Sequence, residues 1–143
     1  MMEAGRKLDA AIETQIMGCT VTVTEPDALG KQLYLTNYLG PKGREVRSYS
    51  SDEKVAIRVI VRAVLRDHKD RFESYGLKAR FSGEYDPESW DDSARRYTPL
   101  WSARFGLHQD HTWAYEAAST DSLAHAICLA ALEAKERTEN EPL

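Results

Sequence analysis

Cysteine is scarce in this chain of 143 residues: Cys19 and Cys128 are the only two, each inside an apolar segment. They read as small reduced core residues, which argues against a disulfide-stapled secreted scaffold. No apolar run approaches the roughly 20 residues that a membrane-spanning helix requires. Residues Met1 to Lys7 lack the apolar core of a secretory signal. The expected location is therefore the cytoplasm, and no membrane partner is expected. Positive charge is not in excess: the net charge is −4, which argues against broad, sequence-independent binding of nucleic acid. Motifs of chemistry are missing too. Gly40 and Gly43 do not make a phosphate loop. No nucleophile motif surrounds a serine or a cysteine. The expectation is a protein that is not an enzyme and needs no cofactor.

What is present is an ordinary globular balance, 42% apolar and 29% charged residues, in a length that suits one domain over residues 1–143. Residues 3–17 have the helical period, with Leu8, Ala11, Ile12, Gln15 and Ile16 on one face and Gly18 at the end. Cys19 to Thr24 alternates as a strand, Glu25 to Gly30 turns, and Lys31 to Tyr38 returns as a second strand of a hairpin. Gly40 to Gly43 breaks the pattern. Ser50 and Glu53 fit a capping box ahead of a helix over 54–71. Residues 76–82 alternate as a strand, 83–98 read as a polar loop, and 100–108 alternate again. A turn at 109–111 leads into a last strand carrying Trp113, Tyr115 and Ala117. Ser119 or Thr120 then caps a final helix that is apolar on almost every side. The Glu-rich end, 135–143, reads as a frayed acidic tail. Helices interleaved with a mainly antiparallel sheet predict an α+β layered sandwich with three helices.

Three segments resemble a known family. They are Leu8 to Gly18, Tyr49 to Asp52 opening a helix, and Ala118 to Leu132, with Trp101 to Phe105 between them. Together they are similar to the phage ABA sandwich domain family of small phage and prophage proteins. The resemblance covers most of the chain in the same order. It implies a three-layer α-β-α sandwich and a phage origin, hence the host cytoplasm. It supplies no catalytic or binding residues. The chain departs from the family pattern by extra residues at about 25–48 and 84–98, and insertions on a shared scaffold are where a particular function sits.

Two stretches are candidate ligand sites. On the helix over 54–71, Ala56, Ile57, Val59, Ile60, Val61, Ala63, Val64 and Leu65 spread over roughly 200°, against the roughly 100° that one-sided packing needs. That surplus predicts a second cover, from another element or another subunit, so a homo-oligomer is expected. Beside it Lys54, Arg58, Arg62 and Arg66 recur every four residues, a ladder suited to a phosphate or to a solvated face. The stretch 84–98 holds Tyr85, Trp90, Arg95, Arg96 and Tyr97, residue types that stack on bases and grip phosphates, and that equally anchor protein interfaces. The ligand-binding expectation thus falls on Arg58, Arg62, Arg66, Trp90, Arg95, Arg96 and Tyr97. His108, Asp110 and His111 could hold zinc, but no fourth ligand has the right spacing, so no metal site is expected. His125 reads as a satisfied core or interface histidine. The functional expectation is a phage-encoded anti-defence protein that sequesters a small anionic, nucleotide-derived host immune signal. The alternative is a protein-interaction module or accessory phage protein that binds a host or phage protein.

Overall fold

The computed structural model describes residues 2–38, 40, 43–67, 77–93, 95–107 and 113–140. Among these residues the chain is α+β, with three helices and two three-stranded antiparallel sheets. The first helix, Arg6–Gln15, turns Leu8, Asp9, Ile12 and Glu13 inward. Two acids therefore share the inner face with two aliphatics. Gln15, expected on that face, is exposed. The helix stops where Gly18 takes a left-handed φ of 72°. The Cys19 N–H reaches back to the Glu13 carbonyl at 2.9 Å, satisfying a helix-end acceptor.

Strands β1 (Val21–Val23) and β2 (Tyr34–Thr36) form the expected hairpin. Asp27 shapes its turn, with Oδ1 accepting from the backbone N–H groups of Leu29 at 2.8 Å and Lys31 at 2.9 Å. A short strand β3 (Arg44–Glu45) joins β2, past glycines that read in sequence as a break. Gly43, at φ 72°, lets the chain turn back into register.

The middle helix comes in three consecutive stretches: α-helical Glu53–Val55, π-helical Ala56–Val61 and α-helical Arg62–Asp67. Its expected continuation to Arg71 lies outside the described residues. The cap also differs from expectation. Asp52, not Ser50, accepts the orphan N–H groups of Lys54 (3.0 Å) and Val55 (3.3 Å). Ser50 is buried instead, and its Oγ takes the Gly5 N–H at 2.9 Å, tying this corner to the start of the first helix.

The second sheet has the order β4–β5–β6, with β4 Leu77–Asp91, β5 Arg96–Leu107 and β6 Trp113–Ser119. The stretch read in sequence as a polar loop over 83–98 is mostly strand, because β4 and β5 continue past the third strand as a paired ribbon. Polar composition hid it: a two-stranded ribbon with both faces open need not alternate apolar and polar residues. A bulge between Ala103 and Phe105 in the β5–β6 pairing coincides with Tyr115 at a φ of 55°.

The last helix, Leu123–Asn140, is the hub of the core. It packs on β5 and β6, on the middle helix and on the first helix. Ala124, Ala126, Ile127, Cys128, Ala130, Ala131 and Ala134 are fully buried, joining Leu8, Ile12, Ile60, Phe105 and Tyr49. Small alanines on several sides let three neighbours approach one helix closely. Its cap is Ser122, whose Oγ accepts the His125 N–H at 3.0 Å. Neither expected cap, Ser119 or Thr120, takes this place; Ser119 accepts from the Asp121 N–H at 2.9 Å, just ahead of the helix. Both cysteines are free. Among the described residues no helix is long and apolar enough to cross a membrane.

Candidate functional site

The ladder residues Arg58, Arg62 and Arg66 are all exposed on the middle helix. Arg66 binds its neighbour Asp67 at 3.1 Å. The apolar surplus beside them is mostly absorbed within one chain. Ala56, Ile60, Val61, Ala63 and Val64 are buried, while Val59 and Leu65 are partly buried against the same core. The π-helical stretch is the physical reason. Its i→i+5 bonding puts more residues in each turn, so Ala56 and Val61 return to the same inner face. A straight α-helical wheel overstates the apolar arc. Ile57 alone on this helix stays open as a large apolar side chain, 39% exposed. The second cover inferred from the wheel is therefore not required by this helix.

The other candidates lie on the β4–β5 ribbon. Pairing runs without break from Leu77↔Leu107 to Tyr85↔Pro99 and resumes at Trp90↔Tyr97 and Asp91↔Arg96. The third strand reaches only Trp101, which pairs with Ser119. Beyond that point β5 continues from Leu100 to Arg96, about 13 Å at roughly 3.3 Å per residue. The ribbon thus carries Trp90, Arg95, Arg96 and Tyr97 past the edge of the sheet. Trp90 is 50% exposed, and its indole Nε1–H donates to Asp92 Oδ1 at 2.6 Å. That bond fixes the ring beside the turn. Arg95 and Arg96 are exposed, and Arg95 holds a left-handed φ of 53°. Sequence reasoning singled out these residues and missed the ribbon that presents them.

A cavity of about 300 Å³ is lined by Met2, Glu3, Ala4, Gly5, Arg6 and Lys7, and by none of the predicted ligand residues. His108, Asp110 and His111, where no metal site is expected, lie outside the described residues. Among those that are described, no three His, Cys, Asp or Glu side chains gather as a metal site.

Two buried polar nodes lie in the core, of which the sequence reading foresaw only His125, as a satisfied core or interface histidine. In the first, the Tyr49 hydroxyl donates to Glu13 Oε2 at 2.7 Å, while Glu13 Oε1 is buried without a well-formed hydrogen bond. Burial, and then the Glu13 carboxylate, push the Tyr49 phenol well above its ordinary value. The same two causes raise the Cys19 thiol, which is therefore poorly suited to be a nucleophile. Arg47 stands nearby with its guanidinium over the Tyr38 ring, 4.4 Å from the centroid. In the second node, Ser119 Oγ lies 2.6 Å from His125 Nδ1 and the Met2 carbonyl lies 2.8 Å from Nε2. A carbonyl only accepts, so Nε2 carries a proton and donates to it, while Nδ1 faces the serine hydroxyl and, at 3.3 Å, Asp121 Oδ2. Ser119 and His125 are both buried, and Ser119 also holds the Asp121 N–H. This hydroxyl–imidazole pair pins the chain start to the last helix and presents no accessible nucleophile. The inward period of Glu13 with Leu8 and Ile12 was the available signal for the first node. For the second, the place of His125 in the apolar last helix was the signal, and its contact with Met2 had none, since those two lie at opposite ends of the chain.

Set against known proteins, the chain matches no family model, no curated protein and no solved structure.

Proposed function

We propose that this chain is a non-enzymatic binding protein whose contact surface is the projecting β4–β5 ribbon, and that its ligand is another protein. The carrying observation is the ribbon tip: a half-exposed Trp90 beside exposed Arg95 and Arg96, held beyond the sheet and away from any described cavity. Tryptophan and arginine dominate the binding energy of protein interfaces. A convex tip suits insertion into a partner's groove better than enclosure of a small molecule, which needs a concave site. On the resemblance to the phage ABA sandwich domain family, the partner would be a host protein and the role interference with host defence. The three-layer α-β-α arrangement belongs to the same proposal. It is supported by the last helix, which touches the sheet and both other helices.

The test is a pull-down from host lysate with wild-type, Trp90→Ala and Arg96→Ala chains. Both variants should melt like wild type, because exposed substitutions usually move stability by less than about 0.5 kcal/mol. Both should lose the same captured protein. Capture that survives both substitutions removes the ribbon from the function.

A second reading, sequestration of a small anionic nucleotide-derived signal, is favoured by Arg58 and Arg62. Both are exposed and have no ion pair among the described residues. Cyclic di- and trinucleotides and ADP-ribose derivatives would then raise the melting temperature in proportion to the logarithm of their concentration. Arg58→Ala and Arg62→Ala would abolish that rise.

A further inference from the structure

Strand β4 is an outer strand of its sheet, and at 15 residues it is long for an edge. Open edges are templates for another strand. The charges along it have an order. Lys78 and Arg80 come first, then Ser82, then Glu84 and Asp86, all at alternate positions and so on one face. In the register with β5, the positions directly opposite the three charged residues on the regular part of this face carry no opposite charge. Lys78 stands opposite Gly106, Arg80 opposite Arg104 and Glu84 opposite Leu100. Arg80 is exposed.

An antiparallel copy of the same strand reverses this order and meets it with the opposite sign. We propose that two copies of this chain pair edge to edge along β4 about a two-fold axis at Ser82, joining their sheets into one. Arg80 of each copy then stands opposite Glu84 of the other, and Lys78 opposite Asp86. On the other face Ala79 stands opposite Tyr85 and Phe81 opposite Gly83. That is the face whose β5 partners include the buried Ala103 and Phe105. Neighbouring registers do worse. An axis at Phe81 keeps one opposite-charge pairing, Lys78 opposite Glu84, and leaves Arg80 opposite Ser82. An axis at Gly83 places Arg80 opposite Asp86 and Lys78 opposite Glu88, so both acids come from the irregular stretch between Tyr85 and Trp90, where the Ser82 axis draws only Asp86 from it and keeps Arg80 opposite Glu84 in the regular part. Pro87 has no N–H to give and ends the pairing. The contact is isologous, so it closes at two copies and does not propagate. It leaves the tip around Trp90 outside the pairing, so it stands or falls separately from the proposed function.

Sedimentation equilibrium of the full chain at low ionic strength tests this. Wild type should approach twice 16.2 kDa as concentration rises, and added salt should loosen it. Arg80→Glu and Glu84→Arg should each raise the dimer Kd by roughly tenfold or more, since each alters two symmetric pairs. The double variant should return to within about threefold of wild type. Arg80→Glu puts an acid opposite Arg104 in its own sheet, so a weaker dimer in that variant is not a loss of fold. Independently, Ser82→Cys should give an intermolecular disulfide with oxidised glutathione, since that residue meets its own copy, whereas Lys78→Cys should not. A monomer throughout the micromolar range, a dimer indifferent to both single substitutions, or a double variant no tighter than the singles overturns the proposal. So does a Ser82→Cys chain that fails to cross-link.

Discussion

Glu13 is 1% exposed, and one of its oxygens relies on a single phenol. Removing that phenol's hydroxyl with Tyr49→Phe strands a buried carboxylate and should cost about 1–3 kcal/mol in urea unfolding. The raised Tyr49 phenol also makes stability depend on alkaline pH. Its folded-state value lies above the unfolded value near 10, so the folded chain holds the proton more tightly. The contribution is whole below about pH 10 and is lost as pH climbs from there toward the raised value. Unfolding followed by fluorescence from pH 8 to 11 should show wild type weakening at the top of that range, and Tyr49→Phe weakening less. The chain's pattern marked the first helix's inner face through Leu8 and Ile12. Acids sharing that face are discounted by any apolar count, because their cost is cancelled only by partners such as Tyr49, Arg6 and the Ser50 N–H. Those partners are 36 or more residues away for two of the three.

At the scale of elements, caps carry a sharp distinction. Asp52→Ala removes the acceptor for two N–H groups at the start of the middle helix and should cost about 1 kcal/mol. Glu53→Ala should cost only a few tenths, since no capping box forms around Ser50 and what remains is the charge in the first turn. Thermal melts of the two variants separate the observed cap from the expected one. Both Ser50 and Asp52 are good cap residues, and only the path of the chain decides between them. Ser50 is drawn inside by the Gly5 N–H, which leaves Asp52 as the next acceptor. The strand–turn–strand period of the first hairpin was plain in Cys19 to Tyr38. The ribbon was not, because its alternation carries no apolar face, and its ladder is made by distant pairing and not by composition.

For the whole molecule, the middle helix separates burial inside one chain from burial between chains. Val61 is 8% exposed and Ile57 39%. Val61→Asp leaves a buried charge unpaired and should cost about 3–5 kcal/mol. Ile57→Asp should keep the fold, and the assembly's mass in light scattering should not change. A dissociated assembly in Ile57→Asp would restore the helix face as the contact between copies and count against the β4 edge.

Local pattern was enough for the α+β class, for most helices and strands, and for the residue types at the ribbon tip. These depend on periodicity and turn chemistry within a few neighbours, which the chain carries in its own order. Where the apolar arc of the middle helix goes, which serine caps and which is swallowed, and what an exposed tryptophan stands on had to wait for the fold. Each is settled by contacts between segments tens of residues apart, and such contacts leave no period in the sequence to be read.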